Sequence, residues 1–323
     1  MNKFIKLQKR IYLSIFFILS IYFSFFSFYN SSRRGGDFST YVKILSSYNK
    51  NITKKFEPIF YLLSEYITFL ETIPSNIVIA FISTFTYISL IFFIPKLACK
   101  KYNNNSVVLL TTALSFPVLT VSQSPIRQGL ASVFFTLFLV YKDSIYRFFF
   151  LPISFFTHNV FLFYYFLLTL FSLNIINKYI KIFILILISI VSLNFQSQIF
   201  FFFGRESHLS YLSRGGNYQI GLRFDFLLFT LLPIILFYIK KIHYEFDQIY
   251  NEYFFKLFNI FIICIFLITI SFRTPFVDRY CFVVWIYYPV IMSYVISRRL
   301  YYLFSICYIL LSILYMPQRY IFF

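Results

Sequence analysis

Long runs of apolar residues, separated by short polar segments, dominate the chain. Apolar runs of about twenty residues cross a bilayer as α-helices, because a helix pairs its own backbone groups where no water is present. The runs cover residues 11–28, 75–94, 106–121, 126–141, 182–203, 224–239, 254–272, 280–297 and 300–316. With two further ambiguous segments, they predict an all-α polytopic transmembrane helical bundle of about 10–11 membrane segments. The prediction is one integral membrane domain over residues 1–323.

One ambiguous segment, residues 57–72, is apolar but also acidic. It contains Glu57, Glu65 and Glu71. Passing this segment through the membrane would put the lysines that follow residue 94 on the outer side, against the usual bias of lysine toward the cytoplasm. The segment is therefore predicted to be an interfacial or re-entrant helix on the outer side.

The second ambiguous segment, residues 148–171, is either one long span or two short half-helices that meet near His158 and Asn159. The hairpin alternative places the later basic residues on the cytoplasmic side, as the positive-inside tendency favours. These residues are Lys178, Lys181, Lys240, Lys241, Lys256, Arg298 and Arg299. We therefore expect the hairpin.

Composition supports a membrane protein over a soluble one. Hydrophobic residues make up 60% of the chain and charged residues 12%, a balance that one soluble core could not accommodate. The net charge of +18 is spread over short segments between apolar runs, which is typical of topology signals rather than of a nucleic-acid surface. The basic N-terminus, MNKFIKLQKR, precedes an apolar run without a cleavage site, so an uncleaved first helix with a cytoplasmic N-terminus is expected.

Motifs for cofactors and metals are missing from the sequence. There is no P-loop and no dinucleotide fingerprint, which argues against an ATP-driven pump and against use of cytoplasmic nucleotide sugars. The cysteines lack CxxC or zinc-ligand spacing and are expected to be small core residues rather than disulfide partners. They are Cys99, Cys264, Cys281 and Cys307. No cofactor and no metal are expected.

Lysine and arginine divide between the two predicted faces of the membrane. With the hairpin, every lysine beyond residue 75 is cytoplasmic, whereas arginines gather outside. These arginines are Arg127, Arg205, Arg214, Arg223, Arg273 and Arg279. Because a guanidinium presents a planar fork of donors to phosphate oxygens, the outer arginines indicate an oligophosphate clamp. The alternative is that they anchor the helices at lipid headgroups.

The two long connections also belong to the predicted outer side. Residues 29–74 contain RRGGDFSTYVKIL, and residues 204–223 read GRESHLSYLSRGGNYQIGLR. Both combine glycine pairs with charged and aromatic residues, whereas the inner connections are short and rich in lysine. The active surface is therefore predicted to face the cell exterior or periplasm.

A family resemblance rests on several short motifs. In SQSPIRQGLASVFF, Pro125 and Arg127 open a helix whose unpaired N–H groups could help to hold an anion. The string IRQGLA, the upstream segments GGDFSTY and FEPIFYLLS, and His158 in the next hydrophobic pair together resemble the EpsG family of Wzy-type polysaccharide polymerases.

The resemblance implies a bacterial protein of the cytoplasmic membrane that acts on its outer face. Such a protein joins oligosaccharide repeat units carried on undecaprenyl diphosphate into O-antigen, capsule or exopolysaccharide. A GT-C-like helical bundle with a cavity open to the outer leaflet, and a partner protein that regulates chain length, are implied as well.

Transfer from a lipid diphosphate needs positive charge at the leaving group and a base for the attacking hydroxyl. The candidates for binding the diphosphate or sugar are Arg127, Gln128, Arg214, Arg223 and Arg279. The candidate bases are Glu57, Asp37 and His158. Arginines could supply the charge without a metal, so a metal-independent, inverting glycosyltransferase is the leading hypothesis.

Each candidate also has a structural explanation. Glu57 precedes Pro58 at a helix start, where a carboxylate stabilises the helix dipole, and Asp37 after two glycines could form a turn. His158 could close the hairpin as an uncharged, hydrogen-bonded side chain. Asp225 could pair with Arg223, and Asp278 could neutralise a neighbouring arginine. In the 204–223 connection, by contrast, Glu206 and His208 could contact sugars.

Two other classes of function stay open. A lipid-linked oligosaccharide flippase or other transporter would have polar groups reached from both sides and internal pseudo-repeats. A membrane acyltransferase that modifies polysaccharide would need its catalytic residues on the cytoplasmic side, which requires the reverse orientation. The sequence has no convincing repeat and concentrates its polar groups on one predicted side.

Overall fold

Helices make up almost all of the described backbone. The computed structural model describes residues 2–29, 74–98, 105–123, 126–141, 144–158, 223–243, 252–270 and 277–315, together with Tyr41, Leu62, Val160, Phe161, Tyr164, Tyr165 and Leu168. The helices are α1 (Asn2–Tyr29), α2 (Ser75–Phe93), α3 (Asn105–Ala113), α4 (Phe116–Gln123), α5 (Ile126–Val140), α6 (Arg147–Thr157), α7 (Phe224–His243), α8 (Glu252–Ile270), α9 (Val277–Trp285), α10 (Tyr288–Val295) and α11 (Arg298–Tyr315). No strand occurs in these ranges, so the all-α class is confirmed for them.

Two of the predicted runs are broken into pairs of helices. The run at 106–121 forms α3 and α4, which are bent by 52° at Leu114 and Ser115. The run at 280–297 is interrupted at Ile286 and Tyr287, between α9 and α10. Pro117 and Pro289 stand in the first turns of α4 and α10, where the missing N–H costs little, and they disfavour a continuous helix.

One described helical stretch can cross a bilayer by length and composition alone. Ser75–Leu97, which is α2 with the 3₁₀ turn Ile94–Leu97, spans 23 residues with a mean hydropathy of 2.4. The bent pair α3 and α4 counts as a second span if the two helices cross together. The larger number of spans expected from the sequence stays a prediction.

Large apolar side chains point outward from several described helices. On α1, Phe17 is 63% and Phe25 is 74% exposed, and on α11, Leu314 is 79% exposed. Inside, buried serine and threonine hydroxyls donate to the carbonyl four residues earlier, as Ser132 does to Gln128. An apolar exterior around internally paired polar groups is the arrangement that lipid favours.

The described helices divide into two sets by direction. In the N-terminal part, α2 and α5 run parallel, while α1 and α6 run antiparallel to them. The contacts that give these directions are Phe16–Phe92 and Ser27–Ala80 for α1 and α2, Thr86–Gly129 and Phe93–Tyr141 for α2 and α5, and Tyr141–Phe150 and Ser154–Ala131 for α5 and α6.

The C-terminal helices continue the same arrangement. Helices α7, α9 and α10 run parallel to α5, and α8 runs antiparallel to them. The contacts are Gln128–Arg279 and Thr136–Tyr287 for α5 against α9 and the turn after it, Thr230–Trp285 and Lys240–Tyr294 for α7, and Phe254–Tyr294 and Phe261–Tyr288 for α8.

These directions place arginine and lysine at opposite ends of the bundle. We call one end the arginine end, because Arg127 and Arg279 lie in the first turns of α5 and α9 and Arg223 immediately precedes α7. The opposite lysine end carries Lys96, Lys240 and Lys256, together with Arg10, Arg147, Arg298 and Arg299. The described residues therefore follow the separation expected from the sequence.

The region around His158 breaks the helix, as the hairpin interpretation expects. Helix α6 ends at Thr157, and His158 is extended, with φ −156° and ψ 119°. Beyond the break, the Phe161 ring lies 5.2 Å from the ring of Phe135, and the Tyr164 hydroxyl reaches the Tyr280 carbonyl. The helix break is therefore observed, whereas the hairpin itself stays a prediction.

The cysteines differ in part from the expectation. Cys264 and Cys281 are buried, as expected, and Cys99 lies outside the described residues. Cys307 is exposed, so the prediction that it is a core residue is wrong. It lies on α11, whose outer face also exposes Leu303, Ile306 and Leu310.

Candidate functional site

The start of α5 packs unusually close to α4 and α2. A Cβ atom added to Gly129 would overlap the carbonyl oxygen of Val121 and lie 3.0 Å from Thr86 Cγ2. Residue 125 is proline and has no N–H to donate to Val121, so the α5 backbone approaches a carbonyl that lacks its usual helical donor. Gly129 in the IRQG motif therefore serves close packing, which sets the position of Arg127.

Arg127 is bound by an aromatic residue from the 29–74 connection. Its Nε donates to the Tyr41 hydroxyl at 3.0 Å, and its guanidinium carbon lies 5.7 Å from the centre of the Tyr41 ring. Tyr41 is 6% exposed, whereas Arg127 is half-buried. Sequence analysis did not select Tyr41, because nothing local in GGDFSTY distinguishes it from the other tyrosines.

Gln128 connects the starts of α5 and α9. Its side chain is fully buried, and Nε2 donates to the backbone carbonyl of Arg279. The other end of the amide, Oε1, is buried and accepts no hydrogen bond from the described residues. A buried acceptor without a donor costs about 1–3 kcal/mol, so this oxygen is suited to accept a bond from a bound hydroxyl.

Arg279 stands in the first turn of α9 and is half-buried. The next carbonyl, that of Tyr280, accepts a bond of 2.8 Å from the Tyr164 hydroxyl. Tyr164 is fully buried and follows the break at His158. Sequence analysis missed Tyr164, since its partner is 116 residues away.

Arg223 forms an ion pair with Asp225, which is the structural role that the sequence offered for this aspartate. Its Nε and one terminal nitrogen donate to the two carboxylate oxygens at 2.9 and 2.6 Å. The side chains are 29% and 48% exposed, so solvent screens the pair and its contribution to stability is small. The guanidinium also lies 3.9 Å from the Phe226 ring centre. A phosphate would have to compete with Asp225 for this arginine.

His158 lies at the arginine end, because Ser154 of the same helix contacts Ala131 and α6 runs toward the start of α5. Its Nδ1 accepts a long contact of 3.4 Å from the Val160 N–H. In this contact Nδ1 is the acceptor. The arrangement favours the structural role of His158, in which it closes the turn, rather than the role of a catalytic base.

Several residues singled out from the sequence lie outside the described residues. These are Asp37, Glu57, Pro125, Asn159, Arg205, Glu206, His208, Arg214 and Arg273, and the side chain of Asp278. Their roles stay predictions. Within the described ranges, no group of three histidine, cysteine, aspartate or glutamate side chains gathers as metal ligands would.

The arginine end is chemically suited to an anion. The positive ends of three helix dipoles, those of α5, α7 and α9, lie beside Arg127, Arg223 and Arg279. Arg127 and Arg279 are held on adjacent turns by the Gln128 bond. The 29–74 connection leaves α1 and enters α2 at this same end, since Ser27 contacts Ala80.

Comparison with known protein families agrees with the resemblance seen in the motifs. The model of the EpsG family matches residues 12–322, nearly the whole chain. The chain belongs to the EpsG family. EpsG proteins form a Wzy-type polymerase-like family of membrane proteins, which implies a role in polysaccharide biosynthesis and a lipid-linked polysaccharide substrate. No curated protein and no solved structure matches this EpsG chain.

Proposed function

We propose that this chain is a metal-independent, inverting polysaccharide polymerase that acts at the outer face of the bacterial cytoplasmic membrane. Its substrates would be oligosaccharide repeat units on undecaprenyl diphosphate. The observation that supports this most directly is the hydrogen bond from Gln128 to the Arg279 carbonyl, which joins the helix starts that carry Arg127 and Arg279. Family membership supports the class of reaction.

The reaction would proceed in one displacement. Arg127 and Arg279 bind the diphosphate of the growing chain's carrier, and the base accepts the proton of the attacking sugar hydroxyl. The hydroxyl oxygen forms a bond to the anomeric carbon while the bond from that carbon to the diphosphate oxygen breaks. Undecaprenyl diphosphate leaves with the electron pair, and its added negative charge meets the two guanidinium groups.

Roles are proposed for the other candidates as well. Glu57 and Asp37 are the proposed bases, because His158 Nδ1 already accepts a backbone N–H. Gln128 Oε1 is the proposed acceptor for a sugar hydroxyl, since it is buried and accepts no hydrogen bond from the described residues. Arg214 and Arg223 are proposed as outer diphosphate contacts, with Arg223 shared between the substrate and Asp225.

The test is Arg127→Lys, which keeps the charge but loses the fork of donors. In a strain lacking the chromosomal gene, we expect this variant to reduce polymerisation by on the order of 10²-fold. A gel of surface glycan should then show a single repeat unit in place of the ladder. Arg298→Lys, an exposed substitution at the lysine end, is the matched control and should preserve the ladder.

Other outcomes would select other functions. A normal ladder from Arg127→Lys would remove Arg127 from the site. Complete loss of surface glycan on gene deletion would indicate the flippase, because unflipped units never reach the outer face. An intact ladder that lacks acyl groups would indicate the acyltransferase. Immunoblotting of the membrane fraction checks that each variant is inserted.

A further inference from the structure

Two consecutive backbone carbonyls in the first turn of α9 each accept a side-chain bond from a different element. The Arg279 carbonyl accepts from Gln128 on α5, and the Tyr280 carbonyl accepts from Tyr164 after the His158 break. Both donor side chains are fully buried. A helix carbonyl has two lone pairs, so these bonds add to the helical pairing of α9 without replacing it.

These bonds fix the turn that carries Arg279. A short helix of nine residues has few internal bonds to hold its first turn, which frays most easily. Bonds from two sides restrain that turn against sliding along α5 or away from Tyr164. The backbone at Arg279 is thereby held against the start of α5, where Arg127 is one residue before Gln128.

We propose that Gln128 and Tyr164 are positioning residues that hold Arg279 beside Arg127, so that one diphosphate can be bound by both. This inference rests on the proposed function, and it goes beyond it by assigning a role to Tyr164. Neither bond needs the substrate. The site is thus preorganised, and binding does not have to fix the two arginines in place.

The fold provides a matched control for Tyr164. Tyr287 is likewise a fully buried tyrosine whose hydroxyl bonds across the bundle, to Thr136 Oγ1 at 2.8 Å. This contact joins the same α5 helix to the turn after α9, two helical turns farther from the arginine end than Gln128. Tyr164→Phe and Tyr287→Phe each delete one buried hydroxyl and leave the ring in place.

The experiment measures binding of undecaprenyl diphosphate and of undecaprenyl monophosphate to the purified full chain in detergent. A diphosphate reaches both arginines, whereas a single phosphate engages one. For Tyr164→Phe we expect Kd for the diphosphate to rise about fivefold and Kd for the monophosphate to stay unchanged. Tyr287→Phe should leave both Kd values unchanged, although it can lower thermal stability as much as Tyr164→Phe does.

A second variant separates positioning from general destabilisation. Gln128→Leu removes the other bond. Combined with Tyr164→Phe, it should raise Kd for the diphosphate by less than the product of the two single effects, because either substitution alone already loosens the same turn. Equal losses from Tyr164→Phe and Tyr287→Phe, or equal effects on both lipids, would overturn the positioning role alone. If Arg127→Lys and Arg279→Lys bind undecaprenyl diphosphate normally, the proposed function itself fails.

Discussion

Three neighbouring residues of the IRQG string have three different physical roles. Arg127 carries the charge and is oriented by Tyr41, Gln128 bonds to the α9 backbone, and Gly129 allows α5 to approach Val121. A binding role for the first two was expected from residue type. The packing role of Gly129 depends on a carbonyl eight residues earlier and on a helix far away in sequence.

Gly129→Ala should therefore destabilise the protein, although alanine is the better helix former. The propensity gain is at most about 1 kcal/mol, whereas overpacking against a backbone carbonyl costs about 1–3 kcal/mol or more, since the carbonyl cannot rotate away. We expect the midpoint of thermal unfolding in detergent to be several degrees lower than that of the unsubstituted protein. The fluorescence of Trp285 measures this unfolding.

Ser132→Ala is the matched control for Gly129→Ala. Ser132 is buried on the same helix, and its hydroxyl bonds only to the Gln128 carbonyl four residues earlier. Loss of such a bond is nearly neutral, because the carbonyl keeps its helical donor. A Gly129→Ala midpoint equal to or above that of Ser132→Ala would contradict the close approach.

At the scale of elements, the antiparallel α5–α6 pair places His158 at the arginine end. The contacts Ser154–Ala131 and Phe161–Phe135 lie on the two sides of the His158 break. Sequence favoured a hairpin because of the lysines far downstream. The structure shows the helix break that a hairpin needs, since His158 leaves the helical conformation, and the reversal stays a prediction.

Cysteine crosslinking tests the contact between α5 and the chain after His158, which the hairpin requires. In a variant with Cys99, Cys264, Cys281 and Cys307 replaced, cysteines at positions 135 and 161 should crosslink with a membrane-permeant oxidant or a short bismaleimide, because the native rings lie 5.2 Å apart. Cysteines at 135 and 150 form the control pair and should stay unlinked, since Phe150 contacts Tyr141 at the other end of α5. Failure of 135 to crosslink with 161 would contradict this contact and would favour a single span through His158.

For the whole molecule, the decisive feature is the separation of positive charges. The lysine end is rich in both basic residue types, as cytoplasmic faces are, and Lys240 donates to the Tyr294 carbonyl at the end of α10. Among the described residues, arginines and no lysines lie at the arginine end. This arrangement fits the proposal that the arginine end faces outward.

Labelling of intact cells tests this orientation. In the cysteine-free background, an impermeant maleimide should modify a cysteine that replaces Asp225 and should not modify one that replaces Arg298, because both residues are exposed but lie at opposite ends. After permeabilisation, both should react. The reverse pattern in intact cells would turn the bundle over and would make the acyltransferase the stronger hypothesis.

The sequence by itself determined the local features of this protein. Apolar runs predicted where most of the described helices lie, because a membrane or core helix is specified by composition along one continuous stretch. Helix α1, however, begins at Asn2, well before its run at 11–28. Charge at helix ends likewise made Arg127 and Arg279 site candidates. The breaks at Pro117 and Pro289 were not predicted, since hydropathy treats both runs as continuous.

Only the tertiary structure decided which residues are neighbours at the site. Tyr41 meets Arg127 across 86 residues, Gln128 meets Arg279 across 151, and Tyr164 meets Tyr280 across 116. Hydrogen bonds of this kind depend on the relative height and rotation of packed helices. Those quantities are set by packing contacts between helices, such as the close approach of Gly129 to Val121 and Thr86. No local sequence pattern encodes such contacts.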